Sequence, residues 1–223
     1  MTDAHCHISA NDPSVREFLV GRDFIGIHPW DAVSSSPQAL EDVRERLAGS
    51  ASIGVGEIGL DRLHERDIPP KMQELFDSQL ALAVEFDRPV VLHGAKCWGR
   101  VVEAVKRLPR KNGRLSFLFH GFSRSGGLIP EIARLGGFIS VGPAVLNDHA
   151  VNYRKLVCDI PLGQLLVETD RTDASDVPPV RDVLSALAAI RKESCDFLER
   201  VTDENAERFF GSGGGEVQGE IRL

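Results

Sequence analysis

An α/β fold is the architecture this sequence predicts, on two observations. Short, nearly continuous apolar runs alternate with longer amphipathic ones along the whole chain. Several short runs, VVLH, SFLFH and LLVETD among them, carry β-branched or aromatic residues at successive positions, as strands buried on both faces of a parallel sheet do.

In chain order the strand candidates are 3–7, 24–28, 52–60, 89–93, 115–122, 137–142 and 164–170. Nothing beyond Asp170 reads clearly as an eighth. Two arrangements therefore stand open: a (β/α)8-type barrel whose eighth strand is missing or degenerate, or an open doubly wound sheet. Between the strands, Ser36-Pro37 opens a helix, since Ser can cap and Pro suits the first helical position. Leu40, Val43 and Leu47 then share one face. The segment 70–86 sets Met72, Leu75, Phe76, Leu80, Ala83 and Val84 at helical spacing. The segments 100–108, 128–135 and 180–190 follow the same rule. A short helix over 203–210, ended by Gly211, comes last, and 196–201 is ambiguous between helix and strand. Without repeat or linker, 1–211 reads as one domain, and 212–223, with three consecutive glycines, as a flexible tail.

Composition narrows the function classes. The 33 acidic against 26 basic residues give a formal charge of −7, which argues against a protein that coats nucleic acid by bulk positive charge. No apolar run is long enough to span a membrane. The opening MTDAHCHISANDPS has neither the basic nor the apolar region of a secretory signal, so a cytoplasmic protein is expected. Cys6, Cys97, Cys158 and Cys195 are too few and scattered for a disulfide framework.

The chemistry concentrates at strand ends. Asp3, His5 and His7 place three possible metal ligands in five residues, and in a strand His5 and His7 share a face, with Cys6 on the other. Glu57, His93, His120 and Asp170 each close an apolar strand. In parallel α/β folds that end is where active sites assemble. Four histidines and two carboxylates exceed the needs of one ion and suit two divalent ions about 3.5–4 Å apart, with Glu57 or Asp170 able to bridge them. A base follows each later ligand strand, namely Arg62, Lys96, Arg124 and Arg171, which points to an anionic substrate. His28 closes FIGIHP and can line the same mouth or serve structure, whereas Trp30 and Trp98, also near strand ends, are expected to pack rather than to wall the cleft. No nucleophile elbow, phosphate-binding glycine loop or dinucleotide fingerprint occurs, so hydrolysis by metal-bound hydroxide fits better than a covalent serine.

These residues add up to a resemblance. DAHCH, GIHP, GEIGLD, the helix with Gln73, Phe76 and Gln79, PVVLH, FHGFS, SVGP, LLVETD and NAERFFG run in an order similar to that of the TatD family of metal-dependent hydrolases. The resemblance implies a TIM-type barrel and two divalent ions, Mg, Mn or Zn. His5, His7 and Asp170 would hold one ion, His93 and His120 the other, with Glu57 contacting both. It also implies attack of a hydroxide on phosphorus with Asp170 accepting a proton, and a DNase acting at DNA ends. Arg62, Lys96, Arg124 and His28 are the expected substrate-binding residues. The chain departs from the family in its loops. Trp30 follows GIHP where a polar residue or histidine is frequent, and the segment after ETD is short, where the chain falls below the roughly 250 residues of a full barrel. The alternative is a hydrolase of a small non-nucleic substrate: a lactone, amide or phosphate ester.

Overall fold

The computed structural model describes residues 1–50, 54–109, 115–173 and 177–211. The segment 212–223, expected to be a flexible tail, lies outside the described residues, as does the start of the third strand candidate. The strands are β1 (Thr2–Cys6), β2 (Arg16–Leu19), β3 (Phe24–Ile25), β4 (Gly54–Asp61), β5 (Val90–Ala95), β6 (Phe117–Phe119), β7 (Phe138–Val141) and β8 (Leu165–Val167). β3 to β8 pair in sequence order as one sheet and β1 pairs with β2 as another, every pair parallel.

The two sheets meet on both sides. Val20, just past β2, bridges Phe24 of β3. On the other side the Asp170 N–H donates to the His5 carbonyl at 3.0 Å and the His7 N–H to the Arg171 carbonyl at 2.8 Å. The eight strands thus follow one another round a TIM-type barrel.

The eighth strand exists, but not where the sequence left room for it. It is β2, the second in chain order, and not a degenerate strand beyond Asp170. REFL opens with two charged residues and offers only Phe18 and Leu19 to an apolar pattern, so its periodicity gave no signal.

The helices are α1 (Ala39–Gly49), α2 (Pro70–Phe86), α3 (Trp98–Lys106), α4 (Ile129–Arg134), α5 (Val151–Asp159), α6 (Val180–Arg191) and α7 (Cys195–Phe210). None joins β1 to β2 or β2 to β3. The shortness expected after Asp170 is therefore matched by two helices missing from the start of the barrel. Ser36 does not cap α1, whose N-cap residue Gln38 makes no side-chain capping bond. Instead the Ser36 carbonyl accepts the Ala39 N–H at 3.2 Å. α7 is twice the length expected. The Ser194 hydroxyl accepts the Phe197 N–H at 3.2 Å and starts the helix at Cys195, so the ambiguous 196–201 is its first half.

Burial falls in two layers. The larger cluster lies between strands and helices, with Val90, Leu92, Phe117, Phe119, Ile139, Val141, Leu165 and Val167 against Phe76, Leu80, Val101, Leu184 and Leu187. The smaller takes Ala4, Phe18, Phe24, Val91, Leu118, Phe138 and Leu166, one from each strand but β4, with Ala206 and Phe209 of α7. β4 contributes Gly54 there, because a Cβ would come within 2.4 Å of the Phe24 ring. Alternation of Val90, Val91 and Leu92 between layers is the strand period of two, and explains why these strands read as continuous apolar runs. Phe209 stacks on Phe24 and Phe210 meets it edge-on near the strand starts, leaving the opposite rim for chemistry. Among the described residues, no helix is long and apolar enough to cross a membrane.

Candidate metal centre

The candidate ligands gather toward one rim, but Glu57 and His93 do not close their strands as expected, since β4 runs on to Asp61 and β5 to Ala95. His5 lies in β1 with His7 just beyond, His93 lies in β5, His120 follows β6 directly, and Asp170 stands just past β8 with a φ of 49°. Glu57 is aimed by a bulge. The register steps from Val55 opposite Val90 to Ile58 opposite Leu92, so Gly56 and Glu57 together face Val91. Gly59 lets β4 lie close to β5 at His93, since a Cβ there would meet the His93 carbonyl oxygen at 2.0 Å. His28 is placed from α2: the buried Gln79 amide accepts the Ile27 N–H at 2.6 Å and donates to the Ile27 carbonyl at 3.2 Å.

The two oxygens of Glu57 face different partners. Oε2 lies 3.2 Å from His5 Nε2 and 3.3 Å from His7 Nε2. Asp170 Oδ1 completes this group at 3.6 and 3.5 Å from the same nitrogens. Oε1 lies 2.6 Å from both His93 Nδ1 and His120 Nε2, which are 3.3 Å from each other. The first group is open, with the Asp170 side chain 45% exposed, and the second is closed, with His120 buried. His5 is fully buried, and neither ring nitrogen has a hydrogen-bond partner. A divalent ion with N and O ligands at about 2.0–2.2 Å spaces tetrahedral neighbours about 3.3–3.6 Å apart. The open group matches that spacing, and imidazole with carboxylate is the donor chemistry such ions take, so the residues fit a metal.

Hydrogen bonds on the far side of each ring separate ligands from supports. His93 Nε2 faces Asp61 at 3.0 Å and so carries a proton, leaving Nδ1 with its lone pair toward Glu57. Behind His120 the Glu168 carboxylate stands 3.8 Å from Nδ1, beyond hydrogen-bond reach, so its support there is electrostatic only. His28 is the reverse case. Its Nδ1 accepts the Trp30 backbone N–H at 3.2 Å, so its proton sits on Nε2, 3.3 Å from Glu57 Oε1. His28 therefore suits a donor to Glu57.

The cluster is electrostatically coupled. Burial alone would raise the Glu57 pKa, but His120, His28 and His5 outweigh it and hold the carboxyl well below its usual range. Burial would lower His120, and Glu57 with Glu168 instead push it well above the usual imidazole range. Asp170 and Glu57 push His7 up to about 9. Asp170 itself is lowered, because His7, His120 and His5 outweigh its burial.

Asp3, a ligand candidate by sequence, does not join the cluster. It accepts the Thr169 N–H at 3.0 Å and the Thr169 hydroxyl at 2.6 Å, tying β1 to the end of β8. Burial raises its pKa to about 7. Cys6 is buried away from the cluster.

Two carboxylates escaped the sequence reading. Asp61 accepts Trp30 Nε1–H at 2.7 Å and the backbone N–H groups of Leu63 and His64 at 2.6 and 2.9 Å, besides holding His93. Glu168 accepts the Gly121 N–H at 2.7 Å and the Ser140 hydroxyl at 2.5 Å. Both stand an even number of positions from a ligand, Glu57 or Asp170, and the strand period could have found them.

The predicted substrate residues scatter more widely. Arg124 lines a cavity of about 1170 Å³ that reaches Glu168 and Asp170 and is also lined by His149, Tyr153 and Lys155. Lys96 is exposed, and Arg62 donates to the Arg66 carbonyl at 3.2 Å. No contact among the described residues joins either to the ligand cluster. The Arg171 guanidinium donates to the Val177 carbonyl at 3.2 Å. Trp98 is buried between Phe119 and Phe122, whereas Trp30 is 56% exposed at the rim.

A parallel barrel with imidazoles gathered round a buried carboxylate at the C-terminal rim defines the class: a metal-dependent hydrolase. The family model described as TatD related DNase matches residues 18–211, and the chain belongs to that family. The His5–His7 pair lies ahead of the matched segment. An Escherichia coli relative named as the uncharacterized metal-dependent hydrolase YjjV is 31% identical over 202 residues, covering 83% of this chain and 75% of its own. Its crystal structure superposes with a TM-score of 0.76 at 28% identity, over 90% of this chain and 78% of that one. A Klebsiella pneumoniae relative named as the 3'-5' ssDNA/RNA exonuclease TatD is 30% identical over 83% of this chain and 75% of its own. A TatD family hydrolase from Entamoeba histolytica shares the fold at 15% identity and a TM-score of 0.69.

Proposed function

We propose that this protein is a two-metal phosphodiesterase that removes nucleotides from DNA ends. The observation that carries the reading is the division of Glu57, with His5, His7 and Asp170 grouped at one oxygen and His93 and His120 at the other. His5, His7 and Asp170 would hold one ion, His93 and His120 the second, and Glu57 both. Mg, Mn or Zn bound there would supply Lewis-acid polarisation of a phosphoryl oxygen and a water acidic enough to react near neutral pH.

The chain's own groups do the rest. Asp170 stands at the exposed edge with a depressed pKa, so it is ionised and free to take the proton that the attacking water gives up. Asp61 holds His93 in the tautomer that presents a lone pair inward, and Glu168 adds negative charge behind His120. His28 donates to Glu57 and keeps its carboxylate oriented. The relative named as a 3'-5' ssDNA/RNA exonuclease supports a nucleic acid substrate. Arg124 and Lys155 in the adjoining cavity offer cations to a phosphate backbone.

The test is release of nucleotides from end-labelled single-stranded DNA by protein stripped of metal and reloaded with Mg, Mn or Zn. Activity should return with metal and vanish in Asp170→Asn at unchanged thermal stability. Equal activity in wild type and variant would overturn the assignment. A second reading, hydrolysis of a small lactone, amide or phosphate ester, is favoured by the net charge of −7. It predicts turnover of such esters with none of DNA.

A further inference from the structure

We propose that Trp30, backed by His64, is a stacking platform for the base of the nucleotide whose phosphate enters the metal centre. The inference rests on the phosphodiesterase reading and names how that substrate is gripped.

Three observations point to it. First, Trp30 stands at the site itself. Its ring lies 5.0 Å from the His28 ring, which lies 5.1 Å from the His93 ring, so two ring contacts separate the indole from a candidate ligand. Second, the indole is exposed yet fixed. It keeps 56% of its surface open, while its N–H is held by Asp61 at 2.7 Å and its backbone N–H by His28 at 3.2 Å. An aromatic ring whose polar edge is already satisfied offers the rest of its surface to an apolar or aromatic partner at little ordering cost. Third, the His64 ring stacks on it at 5.3 Å with 20° between planes, backing the indole from a second loop.

A nucleobase is the occupant that chemistry favours. Every base has a π face, so stacking on an indole is tolerant of sequence, as an enzyme that works along a strand requires. Trp30 does not line the cavity that holds Arg124 and Lys155, so base and backbone would have separate footholds. Asp61 gives the platform a second consequence. It holds the Trp30 indole N–H and His93 Nε2 together, so a base seated on the indole bears on the group that orients a ligand.

Intrinsic fluorescence tests the proposal without turnover. Trp98 is 4% exposed, so Trp30 should dominate the response to a ligand. In the Asp170→Asn protein, a short single-stranded oligonucleotide should quench emission in a saturable way. Trp30→Phe should lose the signal but still bind by anisotropy of a labelled strand, because the phenyl ring keeps a π face. In the otherwise wild-type enzyme, Trp30→Ala should raise KM about tenfold, the scale of losing one base–aromatic stack. A strand whose terminal base is replaced by an abasic tetrahydrofuran should already show that higher KM, and Trp30→Ala should add nothing further. Normal cleavage with no quenching, or independent losses from Trp30→Ala and the abasic end, would overturn the platform alone. A wild-type enzyme that neither binds nor cleaves any strand would overturn the phosphodiesterase reading and the platform with it.

Discussion

The two sides of Glu57 are built to different standards. On the closed side, Asp61 holds the far nitrogen of His93 at 3.0 Å, and Glu168 stands behind His120 at 3.8 Å without a hydrogen bond. On the open side, neither ring nitrogen of His5 makes a hydrogen bond, and His7 and Asp170 are partly exposed. The backbone differs in the same sense. His93 and His120 stand on strands followed by complete helices, whereas His5 and His7 belong to the stretch where β1, β2 and β3 succeed one another with no helix between them. Outer carboxylates fix the tautomer, orient the ring and raise its basicity. The comparison teaches that one end of a single carboxylate can be rigid and retentive while the other stays adjustable, and it predicts that metal fills the closed side first.

The strongest way to break this picture is to remove what the two sides share. Glu57→Gln should abolish metal retention on both sides and cut activity by on the order of a thousandfold, the scale of losing an essential electrostatic group. Metal analysis after gel filtration checks it. One tightly held ion surviving in the variant would show that the closed side does not need Glu57.

A sharper cut goes behind one side. Asp61→Asn leaves every candidate ligand in place but turns an acceptor into an amide where His93 needs one. The tighter of two binding steps in a calorimetric metal titration should weaken roughly 10–100-fold. The weaker step should stay within a few-fold. A change confined to the weaker step would reverse the assignment of sides.

Acidity separates the sides by a smaller effect. Asp170 and Glu57 raise the His7 pKa to about 9, so the ring is protonated below that pH and must lose its proton to take a metal. Affinity of the open side should therefore rise with pH, by at most about tenfold per unit, and level off near pH 9. His7→Ala should remove that slope from the weaker step. An unchanged slope would assign it to another group.

A further effect, on stability and not on metal, concerns the wall behind the open side. Burial raises the Asp3 pKa from 3.8 to about 7, so the folded protein binds a proton there that the unfolded chain has released. Between those values stability should fall as pH rises, because the unfolded state binds fewer protons than the native one. Asp3→Asn should flatten that part of the curve in denaturant titrations of metal-free protein.

Legibility followed the same division. β5, β6, β7 and β8 were plain in the sequence because burial on both faces leaves unbroken apolar runs such as VVL and FLF. Their ends led directly to His93, His120 and Asp170. β2 was invisible because two of its four residues are charged, and no run of apolar residues announces it. α7 was half seen, since Leu198, Thr202, Asn205, Ala206 and Phe209 form a buried stripe in which polar residues interrupt the hydrophobic pattern. Asp61 and Glu168 were missed for another reason. A carboxylate that holds a ligand looks like any strand-end acid until the ring it faces is known.

The hydrogen bonds that join β1 to the end of β8 also set an order of events. His5 sits near the first residue and Asp170 beyond the last strand, and the backbone bonds between Asp170 and His5 and between His7 and Arg171 bring them together. Contacts between such distant parts of a chain form late and slowly. During synthesis, β1 must wait for β8 to leave the ribosome, and α7 must follow before Phe209 and Phe210 can settle against Phe24. The open ligand group therefore waits for β8 to emerge, and the protein gains its full set of candidate ligands only once the ring has closed.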